Sequence, residues 1–502
     1  MHSNCHHNLL RGVLGRVIGQ VPKPTHAGLH TVRPVVDRVI KYIGSQPARP
    51  YESCITKFSG GKYKRYHRAM IRLKGGVEIG KRYAKVHSFV KAENTYFKKK
   101  DDPFPRIIQA RSAEYNLACM SRLKPIEERV YQMTGELFGL ATHYKVIAKC
   151  LNARQRARLI WSKFSALRHP WVLSIDCSKF DQHWSRKMLA LEHYIYKKAN
   201  DDPQFAELLR YQLNTTGYAG SGIKYRTTKR CSGDPNTASG NCLGMVLMVV
   251  AYIWWLKEQF HVPISDFDII DDGDDCLLFA EIEYSAVVRT TIKPFFLELG
   301  QELKLEKEAT CLEDIVFCRS KPVAVGDHDF VMVRDPLEVM SKALTKTSFR
   351  VVSRRKLLMS LIGLCELAQN QGVPVLQEYA TALIRNAGEA PQRSTKRQYK
   401  NLQEALNLEP SLVSYRIKAS YELRRLRIPV VDMVTALPVT LRARNSFERA
   451  YGMGIALQRI NENRLQGWTL NDGCDIRVPQ VLNSEKPFMQ HVGTGYDRYT
   501  PR

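Results

Sequence analysis

The sequence has twelve cysteines but no CxxC pair and no cysteine spacing of the zinc-binding kind. That excludes a metal site built on paired cysteines. Cys177, Cys242 and Cys276 lie among apolar residues, the setting of free buried thiols in a reducing compartment. Long hydrophobic runs are also missing. The longest, Leu243 to Leu256 with Trp254 and Trp255, falls short of the roughly 20 residues a bilayer span needs and reads as a buried helix, so no transmembrane span is expected. The opening stretch Met1-His-Ser-Asn-Cys-His-His7 has no basic segment followed by an apolar core, so no signal peptide is expected there. His6 and His7 read as a frayed end rather than a metal site. No internal repeat is visible.

Acidic residues are in deficit: 76 Lys and Arg stand against 49 Asp and Glu, a net charge of +27 over 502 residues. Such a surplus points to a polyanion, either nucleic acid or a charged membrane face. At 44% hydrophobic and 25% charged the chain is globular, and its length implies two to four subdomains. The deficit is sharpest from Gly61 to Lys100, where only Glu78 and Glu93 offset a dense series of Lys and Arg, with Tyr63, Tyr66 and Tyr83 interleaved. This pattern suits either a nucleic-acid channel, where charge holds phosphates and rings stack on bases, or a solvated basic face.

Along the chain, Arg106-Ile-Ile reads as a short strand and Tyr115 to Glu128 as a helix. A connecting helix is expected over 140–165, and Trp171 to Asp176 forms an apolar strand ending in an acid. Helix resumes after Gln182 through Tyr196. Residues 210–231 are rich in Gly, Thr and Lys, and lead through Cys231-Ser-Gly-Asp-Pro-Asn-Thr into the apolar helix. A further helix is expected from Tyr284 to Leu299, and a strand pair around Ile315 to Cys318 and Val323. Beyond Asp335 the expected elements are helical, over 336–347, 351–369, 374–386, 397–406 and 441–463, with a flexible connection from Pro391 to Lys400.

The stretch Asp268-Ile-Ile-Asp-Asp-Gly-Asp-Asp-Cys-Leu-Leu-Phe279 organises the rest. Apolar residues flank Gly273-Asp274-Asp275, which reads as strand, tight turn and strand with carboxylates at the tip. Alone the tripeptide is weak, arising by chance in roughly one in ten chains of this length. A surface turn and a metal site are both open at this point. Asp176 adds a third carboxylate, fixed at a strand end. Two divalent ions held by such acids, Mg²⁺ or Mn²⁺, suit phosphoryl transfer between nucleotides. Asp181 and Asn241 have the donors and acceptors to read a ribose 2′-hydroxyl, with Ser232 and Thr237 orienting them or serving as ordinary loop and cap residues. Arg106 and Arg111 offer planar forks that match triphosphate oxygens.

Taken together, Asp176-x4-Asp181, Ser232-Gly-Asp-x-Asn-Thr-x3-Asn241 and Gly273-Asp-Asp275 resemble motifs A, B and C of viral RNA-dependent RNA polymerases, most closely the tombusvirus-like replicases of positive-strand RNA viruses. Phe89-Val-Lys-Ala-Glu93 with Pro105-Arg-Ile-Ile-Gln-Ala-Arg-Ser112 resembles motif F. Leu303-Lys-Leu-Glu306 resembles motif D, and Glu313 to Val323 motif E. The likeness covers about residues 30 to 390. It implies an α+β right hand: an N-terminal leader and fingers over 1–165, an antiparallel-sheet palm over 166–325 with an inserted fingers segment near 183–231, and a helical thumb and tail over 326–502. It also implies template-directed RNA synthesis, with Asp176 and Asp274 as metal ligands and Asp275 assisting. Lys91, Arg106 and Arg111 would hold the triphosphate, and Asp181 and Asn241 would select ribose. Lys304, or else Lys307, would protonate pyrophosphate, and the Phe317 to Lys321 turn would grip a primer. Initiation would be primer-independent, with Trp468 and Tyr379 as aromatic candidates for a platform.

Two departures from relatives stand out. Asp271-Asp272 precedes the turn where many carry a less acidic pair; the extra charge either tightens a metal site or favours Mn²⁺, or one acid is salt-bridged nearby, and a tolerated neighbour is the expected reading. Only a short leader precedes the fingers, where relatives carry a membrane-targeting region. Either this is the polymerase segment alone, or the arrangement is compact or separately encoded; the resemblance implies host cytoplasmic replication at a membrane reached through a partner replication protein. A reverse transcriptase-like polymerase shares the acids but not the ribose-reading pair, and a non-enzymatic RNA-binding protein leaves the acids without a purpose.

Overall fold

The computed structural model describes residues 2–93, 103–220, 222–343, 365–387 and 436–469, with Met359, Ile362 and Gly363. Its strands are β1 (Val86–Val90), β2 (Ile107–Ala110), β3 (Pro170–Cys177), β4 (Thr215–Ala219), β5 (Ile223–Thr227), β6 (Phe267–Asp271), β7 (Asp275–Glu281), β8 (Leu303–Ala309), β9 (Ser320–Gly326) and β10 (Asp329–Arg334). They form three open sheets, ordered β6-β7-β3-β8, β2-β1-β4-β5 and β10-β9. The architecture is thus mixed α and β without a barrel.

The chain packs as two units, Met1–Cys150 with Leu159–Thr310, and Leu151–Arg158 with Cys311–Arg502. The division falls before the expected boundary at 325 because β9 pairs with β10 instead of joining the first sheet.

In the first unit β6, β7 and β3 are buried along nearly their whole length. Their near-continuous apolar sequence reflects cover on both faces rather than alternation. Asp176 and Asp275 sit at the less buried ends. The helix Thr237–Phe260 packs against the helix His26–Ile43 and against β6. At 24 residues it exceeds the expected run and is long and apolar enough to cross a membrane, yet 83% of its most apolar window is inside the protein. It is a core helix.

The expected helix over 140–165 begins only at Ala153 and ends at Phe164. The residues before it lie extended beside β6: Asp271 N donates to Val146 O (2.8 Å) and Ala148 N to Asp271 O (2.8 Å). A buried ion pair accounts for the departure. Lys163 Nζ meets Asp268 Oδ1 at 2.5 Å, and Thr142 donates to Asp268 Oδ2 through its amide (3.1 Å) and hydroxyl (2.6 Å). Satisfying a fully enclosed carboxylate outweighs the modest helical propensity of that stretch.

Other expectations need correction. His6 opens a helix to Val13 rather than fraying. Ile315 to Cys318 is not a strand. Phe317 bridges Ser320 across a two-residue turn in which Cys318 and Arg319 are both left-handed, φ 50° and 58°. In the second unit, the helix expected over 441–463 breaks into Leu441–Tyr451 and Ile455–Gln466 at Gly452, φ 68°. There the helix Leu441–Tyr451 packs on β9, and Ser446 Oγ joins Ala324 N (2.9 Å) to Glu313 Oε1 (2.9 Å). Residues 397–406, the connection from Pro391 to Lys400 and most of 351–369 lie outside the described residues.

Removing one partner of the enclosed Lys163–Asp268 pair strands a buried charge. Lys163→Met is expected to cost about 3–5 kcal/mol in denaturant unfolding. The double change Lys163→Met with Asp268→Leu is expected to recover part of that loss, and a single variant as stable as the parent would contradict the buried pair.

Candidate active site

The first sheet brings distant acids into one row. In the β3–β7 ladder Asp176 is the register partner of Asp275, and in the β3–β8 ladder it is the partner of Lys304. Directly opposed residues of adjacent strands present their side chains on one face. Lys304 Nζ stands 3.7 Å from Asp176 Oδ2. Asp274 sits in the β6–β7 turn beside Gly273, whose φ of 105° only glycine adopts at low cost. Gly273 N donates to Asp271 Oδ2 (3.1 Å) and Asp272 N to Asp275 O (2.9 Å), closing the turn.

Like charges on paired strands repel, and the titration behaviour carries the mark. Burial, then the neighbouring Asp274 and Asp176 carboxylates, push Asp275 up to about 6. Asp176 is also raised, by burial first, with Lys304 opposing and Glu306 and Asp274 adding to it.

Asp271 is fully enclosed, and burial drives its carboxyl well above the ordinary range. Asp272 forms an ion pair with Lys149, whose Nζ also donates to the Asp272 carbonyl at 3.2 Å. Burial lowers the Lys149 pKa, but Asp272, Cys242 and Asp271 together raise it and the net direction is upward. Of the alternatives open from the sequence, the salt-bridged acid is therefore Asp272. Lys149 itself was missed, because nothing local marks a lysine that meets its partner 123 residues away.

Asp181, on the short helix Phe180–His183, accepts a hydrogen bond from Asn241 Nδ2 at 3.0 Å. Asn241 Oδ1 is enclosed and, among the described residues, has no hydrogen-bond partner. Burial raises the Asp181 pKa, opposed by Arg230 and by the Asn241 hydrogen bond. Ser232 and Thr237 face backbone. Ser232 Oγ donates to Ile107 O (3.1 Å) and accepts from Gln109 N (3.2 Å), while Thr237 Oγ1 donates to Cys231 O (2.9 Å).

Lys91 and Arg106 converge on Glu93 Oε2, at 2.9 and 3.5 Å, with their side chains substantially exposed. Arg16, which the sequence reading passed over, lies near enough to Arg106 and Glu93 for their charges to affect it. Arg111 does not join them. Its side chain is fully enclosed, ion-paired to Asp234 and bonded to the Ala84 carbonyl and to Thr215 Oγ1 (2.8 Å). These partners commit the guanidinium to Asp234, the Ala84 carbonyl and Thr215. Aromatic expectations divide as well: Tyr63 is exposed, whereas Tyr66, Tyr83 and Tyr379 are core residues and Trp468 packs against the core of the second unit.

The raised pKa of Asp275 fixes a sign. The folded protein disfavours its charged form, so stability present below the ordinary carboxylate range is lost as pH rises through about 6. Asp275→Asn is expected to raise stability in metal-free buffer at pH 7 by on the order of 1–3 kcal/mol, with the gain vanishing near pH 4. A pH-independent difference between the two unfolding curves would remove the electrostatic coupling.

The family model described as viral RNA dependent RNA polymerase matches residues 1–473. The RNA-directed RNA polymerase of Groundnut rosette virus is 30% identical over 490 residues, 95% of this chain and 54% of that protein. Those of Tobacco necrosis virus and Tomato bushy stunt virus are 31% and 28% identical, over 76% and 96% of this chain and 52% and 57% of their own lengths. The chain spans about half the length of the curated relatives it matches. By the extent of these matches, the chain belongs to the viral RNA-dependent RNA polymerases, among their tombusvirus-like members.

Proposed function

We propose that the chain carries out template-directed RNA synthesis from ribonucleoside triphosphates, releasing pyrophosphate, in replication of a viral genome. The observation that carries this reading is the row Asp275–Asp176–Lys304 across three paired strands, with Asp274 at the glycine turn beside it. In this reading the first sheet is the palm and β1, β2, β4 and β5 belong to the fingers, with the helical C-terminal part as thumb.

Among the described residues no group of three or more His, Cys, Asp or Glu forms a ready metal cage. Mg²⁺ suits such a site, since it takes one or two carboxylates and completes its octahedron with water and substrate phosphates. Mutual repulsion in the acid row also fits a resident cation. Asp176 and Asp274 would hold the ions, with Asp275 as a secondary ligand. When bound, Mg²⁺ or Mn²⁺ would lower the pKa of an attacking 3′-hydroxyl and neutralise charge on the triphosphate.

The remaining roles fall to the chain itself. Lys91 and Arg106 would hold the triphosphate, their shared Glu93 yielding to phosphate oxygens. Lys304 would deliver a proton to pyrophosphate. Asn241 Oδ1, enclosed and without a hydrogen-bond partner among the described residues, would accept a hydrogen bond from the ribose 2′-hydroxyl while Asp181 orients the amide; a deoxynucleotide would leave it unpaired. Arg111, Ser232 and Thr237 would hold the loop that aligns them. The Phe317–Lys321 turn is retained as a primer grip, and initiation as primer-independent. The site of action would be the host cytoplasm, at a membrane reached through a separate replication protein.

In a primer-free assay on a defined RNA template with Mg²⁺ or Mn²⁺, Asp274→Asn is expected to lower incorporation at least about a thousandfold while RNA binding largely survives. Unchanged synthesis would take Asp274 out of the mechanism. Asp181→Ala and Asn241→Ala are expected to narrow the preference for UTP over dUTP. An unaltered ratio would end their sugar-reading role.

A further inference from the structure

Behind the Asp181–Asn241 pair lies a polar network that the proposed reaction does not use. Its centre is Glu192, with a side chain 1% exposed against 0% for its partner Arg230. Glu192 Oε2 accepts from Trp184 Nε1 at 2.8 Å and from Arg230 Nη2; Oε1 accepts from Arg230 Nη1 at 3.3 Å and from Asn236 Nδ2 at 2.8 Å. The network continues through Asn236 Oδ1 to Gln212 Nε2 (3.0 Å), and from Gln212 Oε1 to His193 Nε2 (3.0 Å). Enclosed charges are costly to assemble, Arg230 Nε here having no hydrogen-bond partner among the described residues, and in some proteins such groups fix one geometry among several.

The partners of Glu192 identify what is being fixed. Trp184 follows the short helix that carries Asp181, and its carbonyl accepts from Arg230 N at 3.2 Å. Asn236 stands at the start of the helix Thr237–Phe260 that carries Asn241. Gly240, one residue before Asn241, packs so closely that an added Cβ would lie 2.4 Å from Glu192 Oε1 and 2.6 Å from Arg230 Nη1. One carboxylate therefore ties together the two elements whose side chains meet at 3.0 Å in the Asp181–Asn241 hydrogen bond. Arg230 adds positive charge that acts on Asp181 from the protein side.

We infer that Glu192 and Arg230 are positioning residues for sugar discrimination. They set the separation of Asp181 and Asn241, and so determine how strongly a ribonucleoside triphosphate is preferred over its deoxy counterpart. This deepens the polymerase reading and rests on it. The network touches neither the acid row nor the triphosphate cations in the structure, so loosening it is expected to change selectivity more than turnover.

The test is the ratio of kcat/KM for UTP and dUTP on one RNA template, measured for the full chain and for Glu192→Gln, Asn236→Ala, Asn241→Ala and the double variant Glu192→Gln/Asn241→Ala. Glu192→Gln sets an amide against the Arg230 donors, and is expected to lower the ratio about tenfold while kcat for UTP falls less. The double variant is expected to discriminate no worse than Asn241→Ala alone, because both changes act through one hydrogen bond. Should Glu192→Gln fail to fold, Asn236→Ala decides, since it removes one arm and leaves the ion pair intact; a smaller loss in the same direction is expected. A folded variant with the parent ratio, or an additive double variant, overturns the inference. A parent chain that incorporates no UTP overturns the polymerase reading instead.

Discussion

The site depends on a cross-strand pairing that is unfavourable by itself. Asp176 and Asp275 face one another across adjacent strands, with Asp274 in the turn beyond and Lys304 as the sole cation in the row. Like charges directly opposed destabilise a sheet. The surrounding strands hold them there because β3, β6 and β7 bury almost every other side chain, and slipping the register by one would turn that apolar set outward. Hydrophobic burial thus maintains an electrostatic tension, and a divalent cation with a triphosphate is what would relieve it.

Ion pairs do the positioning around this row, all of them enclosed except the half-buried Lys149–Asp272. Lys163–Asp268 draws the 140–149 segment along β6, Lys149–Asp272 steadies the glycine turn, Arg111–Asp234 braces the loop ahead of the long helix, and Arg230–Glu192 joins that helix to the one bearing Asp181. A surplus of +27 is therefore not spread evenly over the surface. Several of its arginines and lysines are structural, and the exposed remainder, such as Lys91 and Arg106, is what a polyanion would meet.

Much of this was legible in the sequence where the information is local. An apolar run ending in an acid predicts β3, and Gly273 between apolar strands predicts the hairpin. The donor and acceptor chemistry of Asp181 and Asn241, with the family resemblance, suggested a pair, and the two meet at 3.0 Å. Pairings made across long stretches of chain were not legible. Arg111 carries the same local signature as an arginine that faces substrate; its burial depends on Asp234, 123 residues away. The helix expected over 140–165 failed for a similar reason, since Asp268 claims Thr142 and Lys163 from far along the chain. Tyr66, Tyr83 and Tyr379 looked available for stacking because aromatic composition does not distinguish a ring in a channel from a ring in a core.

The central claim is that Asp176 and Asp274 share cations beside a nucleotide. A crystal structure of the chain soaked with Mn²⁺ and a non-hydrolysable ribonucleoside triphosphate measures this directly through anomalous scattering. The account predicts manganese peaks coordinated by both Asp176 and Asp274 and by phosphate oxygens. Peaks confined to other residues, with the Asp176 and Asp274 carboxylates uncoordinated, would contradict it.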